Sequence, residues 1–222
     1  MERFEEIRKL YDIWDDSFGI PESEIFECEK RLGFKLPQIW REYYLQFGTN
    51  NQINQTQDNL ILPAKIRVQK GEYFSFYQEN QGNWQASIKL SESNLENPPV
   101  YYDLNEEEKI ESQSIFLNGM ALLQTIFAFP FNAYANDIEN ETEILIQTKW
   151  KLIMNFKTPS FNLRFFQNSP LEVLTLMDDG YQNLVNGITG KYLAIASKEK
   201  QRFREIVEKF DFNWEWNTLE DE

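Results

Sequence analysis

The chain has 222 residues, with 22 Lys plus Arg against 36 Asp plus Glu and a net charge of −14. Such a field repels phosphate backbones and anionic membranes, which excludes the basic nucleic-acid-binding class. Hydrophobic residues reach 41% and aromatics 15%, while histidine is absent and Cys28 is the one cysteine. A core of its own is therefore available, and internal disulfides, histidine triads and histidine zinc sites are excluded.

Glu2 to Trp14 has Ile7, Leu10 and Trp14 at helical spacing, predicting a short amphipathic helix. Phe18-Gly19-Ile20-Pro21 breaks it. Pro21, Glu22 and Glu24 open a second helix, with proline in the first turn and acids at the positive dipole end. Ile25, Cys28 and Leu32 form its apolar face, and Gly33 ends it. Leu36-Pro37 starts a third helix whose Trp40, Tyr43, Tyr44 and Phe47 make a broad aromatic face up to Gly48. The Asn- and Gln-rich stretch Thr49 to Asn59 reads as a loop.

The period then changes to two. Strands are expected at Asn59 to Pro63, Glu72 to Glu79 and Trp84 to Leu90, the last two forming a hairpin about Asn80-Gln81-Gly82-Asn83. Pro98-Pro99 places Val100-Tyr101-Tyr102 at an edge or end of the sheet, because proline cannot donate to a ladder. A long apolar helix is expected from about Ser114 to Phe129, then an acidic hinge from Asn136 to Glu143. Ile144 to Phe156 is open to helix or strand. Further strands follow at Phe161 to Phe166, Leu171 to Met177, Tyr181 to Val185 and Tyr192 to Ala196, with turns at Asp178-Asp179-Gly180 and Asn186-Gly187. Ser197 caps a final helix to about Phe210, and Glu215 to Glu222 is an acidic, frayed end. This order predicts an α+β fold, with N-terminal helices on a central antiparallel sheet and further helices, in a single domain over 1–222.

Motifs with chemical meaning are few. Gly187-Ile188-Thr189-Gly190-Lys191-Tyr192 has only two residues between its glycines and a tyrosine after the lysine, so it reads as a hairpin turn and not a phosphate loop. Asp178 and Asp179 beside Gly180 read as a solvated turn, and Cys28 as a small core residue. No catalytic, cofactor-binding or metal-ligating residues are assigned. The charged start Met1 to Glu6 lacks a signal-peptide core, and the apolar stretch 120–131 is shorter than the roughly 20 residues a bilayer requires. A cytoplasmic location is expected. The run Asp103, Glu106, Glu107, Glu108 and Glu111, against Lys109 alone, has two readings: acids gathered at a helix N-terminus, or a docking face for a basic partner.

Glu29-Lys30-Arg31-Leu32-Gly33-Phe34-Lys35-Leu36-Pro37, continuing through Trp40-Arg41-Glu42-Tyr43 to Phe47-Gly48, resembles the entry motif of the SUKH superfamily, the Smi/Knr-like proteins. Tyr73-Phe74-Ser75-Phe76-Tyr77 to Trp84, then Asn97-Pro98-Pro99-Val100, is similar to that family's hairpin and Pro-Val segment. The chain is longer than compact members, with extra elements expected over about 130–190. The resemblance implies a non-catalytic immunity protein that neutralises a cognate toxin, in this family often a nuclease, by stoichiometric binding. The alternative is a regulatory scaffold of the same fold. It implies a protein partner, a basic toxin domain, and neither nucleic acid, membrane, small-molecule substrate nor cofactor.

Overall fold

The computed structural model describes residues 4–158, 161–179, 190–210 and 212–219. The fold is α+β, and the chain divides into two compact units, residues 1–124 and 125–222, each with its own sheet. The sequence reading expects one domain here, with extra elements over about 130–190. Among the described residues no helix is long and apolar enough to cross a membrane.

The first unit opens with α1 (Glu5–Leu10), α2 (Glu22–Leu32), α3 (Gln38–Phe47) and α4 (Asn51–Asn54). Its sheet holds β1 (Asn59–Leu60), β2 (Val68–Gln69), β3 (Tyr73–Gln78), β4 (Gln85–Lys89), β5 (Val100–Tyr102) and β6 (Lys109–Ile110). Their order is β1-β3-β4-β5-β6, with β2 also on β3. Then comes α5 (Gln113–Ala128), within which the division falls. The second unit contains β7 (Phe131–Ala135), α6 (Asn140–Lys149), β8 (Lys151–Lys157), β9 (Asn162–Gln167), β10 (Glu172–Asp178), β11 (Lys191–Ser197), α7 (Lys200–Val207) and β12 (Trp216–Asn217). Its sheet runs β12-β7-β11-β10-β9-β8, which leaves β8 as an edge. Every strand pairing among the described residues is antiparallel.

The joint between α2 and α3 shows why the entry motif takes its form. Gly33 sits at φ 80°, a left-handed conformation costly for any residue with a Cβ, and its N–H closes the helix on the Glu29 carbonyl at 2.8 Å. The Glu29 carboxylate is buried, where it accepts the Leu36 N–H at 2.9 Å and the Arg41 guanidinium at 2.6 Å. One side chain thus ties the end of α2, the connecting turn and the first half of α3. Pro21 and Pro37 each stand one residue before their helices, as N-caps with φ near −55°, and not inside the first turn.

That joint aims the aromatic face of α3 at the sheet. The Trp40 ring stacks on Phe74 with centroids 5.7 Å apart and touches Phe76 at 5.2 Å. Phe116 of α5 packs on Phe76, Tyr77 and Tyr102 at 5.2, 5.3 and 5.9 Å. The Tyr44 hydroxyl donates to the Ile61 carbonyl and that of Tyr43 to Asn54 Oδ1. In the second unit Leu174, Leu176, Leu193 and Ile195 of the sheet pack with Phe203 and Ile206 of α7.

Several elements depart from expectation, each for a physical reason. The helix predicted to Trp14 ends at Leu10, and Tyr11 takes the buried place with its hydroxyl on the Ala121 carbonyl, leaving Trp14 74% exposed. The expected loop 49–59 contains α4, because the Asn50 side chain accepts the Ile53 N–H and caps it. The ambiguous stretch 144–156 is both: α6 runs to Lys149, Trp150 turns to extended geometry, and β8 follows. β7 lies where no strand is expected, immediately after Pro130 has ended α5. β5 lies inside the sheet by one two-residue strand, β6. Ser197 closes β11 and does not cap α7, whose N-cap is Glu199. Within the acidic end, Trp216–Asn217 pairs with β7. The strand expected at 181–185 and the turn at 186–187 lie outside the described residues.

Trp40 is fully buried between three aromatic rings, so Trp40→Ala should cost about 3–5 kcal/mol in urea unfolding. A loss below about 1 kcal/mol would contradict the packing described here.

Candidate functional site

Asp103, Glu106, Glu107 and Glu108 lie in the turn between β5 and β6, separated from α5 by β6, and Glu111 lies between β6 and α5. The helix-N-terminus reading is therefore corrected for the first four, which follow an extended strand and a tight reversal, with Lys109–Ile110 paired to Val100–Tyr101 before α5 begins. It holds for Glu111 alone. Asp103 continues the β4–β5 ladder with its side chain. Its own N–H reaches the Gln85 carbonyl, and its Oδ1 accepts the Gln85 N–H, both at 2.9 Å. Asp103 and Leu104 then adopt φ of 47° and 62°. The left-handed region is tolerable for aspartate and costly for leucine.

Hydrogen bonds hold that strained pair in place. The Asn105 N–H donates to the Tyr102 carbonyl at 2.8 Å, and the Tyr102 N–H to the Glu108 carbonyl at 3.0 Å. Asn105 Oδ1 accepts the Glu107 N–H at 3.1 Å, the local side-chain turn for which asparagine is suited. The backbone carrying Glu107 and Glu108 is thereby set by its neighbours on both sides.

The five acids divide into two groups. Asp103 is bound into the sheet, and Glu106 Oε1 lies 2.6 Å from the Lys89 ammonium. That hydrogen bond holds the Glu106 carboxyl below its ordinary range and raises Lys89. Lys89 also lies over the rings of Tyr101 and Tyr73, 5.1 and 5.9 Å from their centroids. The Tyr101 hydroxyl donates to Glu92 Oε1 at 3.0 Å, and burial first, then Glu92, pushes it up to about 12. Glu107, Glu108 and Glu111, by contrast, are exposed, and among the described residues their carboxylates have no partner.

Lys89, Tyr73, Tyr101 and the strained Leu104 are not among the candidate site residues of the sequence reading. Strand alternation contains the signal for the first three, since Tyr73 pairs with Lys89 and Tyr101 with Lys109 on one face. Elsewhere, Cys28 is buried and its thiol is pushed up by that burial against the opposing pull of Arg31, as suits a core residue. Asp179 continues the β10–β11 hairpin through Gly190 and accepts the Tyr192 hydroxyl at 3.3 Å.

A buried carboxyl lies near the core-facing side of β5. Asp58 is 5% exposed, its Oδ1 has no hydrogen-bond partner, and its charge is felt at Tyr77 and Tyr102. Burial raises it to about 6 against the opposing Asn80 backbone N–H, with Glu79 adding a little.

Comparison with protein-family models, with curated proteins and with solved structures finds no match for the chain.

A folded-state pKa above the unfolded one means that the stabilising form of Asp58 is the protonated one. Its contribution is complete below the unfolded value and is lost as pH rises through about 6. Asp58→Asn should therefore stabilise the protein by about 2–3 kcal/mol at pH 8 and hardly at all at pH 4. Paired urea titrations at the two pH values check this, and equal effects at both would refute it.

Proposed function

We propose that this chain is a SUKH-superfamily immunity protein that neutralises a cognate basic toxin by stoichiometric binding, without turnover. The observation that carries the reading is the β5–β6 turn, which presents Glu107 and Glu108 on a hydrogen-bonded mount, with Glu111 following β6, as exposed carboxylates without partners among the described residues. Charges carried on a fixed backbone steer a basic partner, and only side-chain freedom remains to be lost when they meet it. Asp103 and Glu106 contribute to the mount and not to the exposed charge. The Glu29–Gly33–Leu36–Arg41 joint supports the family assignment by giving the motif residues a common structural purpose.

The reading expects a toxin domain to be encoded beside this chain, and the test uses that domain. Between about 50 and 500 mM salt the Debye length shrinks from roughly 14 to 4 Å. The association rate, measured by surface plasmon resonance, should fall at least tenfold while the dissociation rate changes much less. The E107K/E108K/E111K variant should reproduce part of that fall at unchanged melting temperature and protect toxin-expressing cells poorly. A salt-insensitive on-rate or full protection by the variant would remove the acidic turn from the interface. Failure of the native chain to protect would remove the immunity reading itself.

A further inference from the structure

β1 and β2 both pair with β3, at opposite ends of it, so the chain between them must leave the sheet and return. It does so through the single turn Pro63–Lys65, and the detour leaves a notch in the sheet edge beside the irregularity at Ser75/Tyr77 of β3. The notch is a cavity of about 220 Å³, lined by Leu60 to Leu62, Asn59, Lys65, Arg67, Gln69, Ser75, Gln78 and Gln85.

Its floor is a closed set of polar bonds. Gln69 and Gln85 exchange amide hydrogen bonds at 2.9 and 3.1 Å, and the Ser75 hydroxyl lies 2.8 Å from Gln69 Nε2 and 2.7 Å from Gln85 Oε1. Its rim is cationic. From Asn59 to Gly71 the chain holds Lys65, Arg67 and Lys70 and not one acid, in a protein of net charge −14. Arg67 uses one terminal nitrogen on the Ala64 and Ile66 carbonyls at 2.8 Å, which leaves the rest of its donor fork available. Among the described residues the Lys65 amine has no partner.

The rim is also fixed in position. Arg31 of α2 donates to the Ile66 carbonyl at 2.8 Å and the Pro63 carbonyl at 2.7 Å, and Pro63 and Ile66 are themselves buried. Two cations on a backbone-anchored loop that lines the same notch as the glutamine amides suit an oxyanion: a guanidinium fork can take two oxygens and the amine a third. The volume lies below the roughly 300 Å³ at which drug-sized pockets begin, so the ligand must be small.

We propose that this notch is a binding site for a small oxyanion, a phosphate or carboxylate group, held by Lys65 and Arg67. The site is independent of the toxin reading, whose surface is acidic and whose partner is a protein. The experiment is a titration of the full chain with sodium phosphate and, separately, sodium acetate, each against sodium chloride at matched ionic strength. It is followed by the side-chain amide NMR signals of Gln69 and Gln85. Saturable shifts with phosphate or acetate beyond those with chloride are expected, and which of the two binds identifies the oxyanion class. K65Q/R67Q should weaken binding at least tenfold, whereas K149Q/R204Q, which removes the same charge from exposed positions of α6 and α7, should leave it unchanged. If K65Q/R67Q fails to fold, K65Q alone must still weaken binding at least threefold. Shifts no larger than with chloride, binding by K65Q/R67Q within twofold of native, or equal loss in K149Q/R204Q would overturn the site.

Discussion

The first unit depends on one buried carboxylate. Glu29 lies where a charge is costly unless it is met by full hydrogen bonding, and it is met by the Leu36 N–H and the Arg41 guanidinium. Removing either partner would leave the charge exposed to a low-dielectric interior. Removing Glu29 would free the turn that sets the angle of α3. Because the Trp40 stack on Phe74 and the Tyr44 tie to Ile61 both follow from that angle, the joint fixes the sheet edge as well as the helix pair.

The same principle extends outward to both surfaces discussed above. The α3 face seats β3, β3 carries β4, and Gln85 of β4 grips Asp103 at the start of the acidic turn. On the other flank Arg31, one helical turn from Cys28 in α2, holds the loop that carries Lys65 and Arg67. Two oppositely charged features are thus mounted on one small sheet, each held by side-chain bonds to backbone groups.

Helices α2 and α3 were legible because their signals are local: proline before each start, glycine after each end, and apolar spacing in between. The β3–β4 hairpin was legible through alternation about Gly82. The β7 and β12 strands were not, because each is defined by a partner far along the chain, Asn217 pairing with Ala133 across 84 positions. The acidic residues could be read as a candidate site, but their division could not. Whether Glu106 is free depends on Lys89, and Lys89 is oriented by Tyr73 and Tyr101 on neighbouring strands. Leu104 carries no sequence signal of its left-handed backbone, since leucine is a poor choice for it.

The open edge at β8 bears on behaviour in a crowded solution. A strand of seven residues that is paired on one side only offers a template on which other chains can add. Here the strand begins and ends with lysine and is irregular at Leu152/Met154. Were two copies to meet antiparallel about Met154, Lys151 of each would oppose Lys157 of the other, and the repulsion would be felt twice. Like charge at both ends of this edge strand therefore disfavours the addition of a second copy to the second sheet.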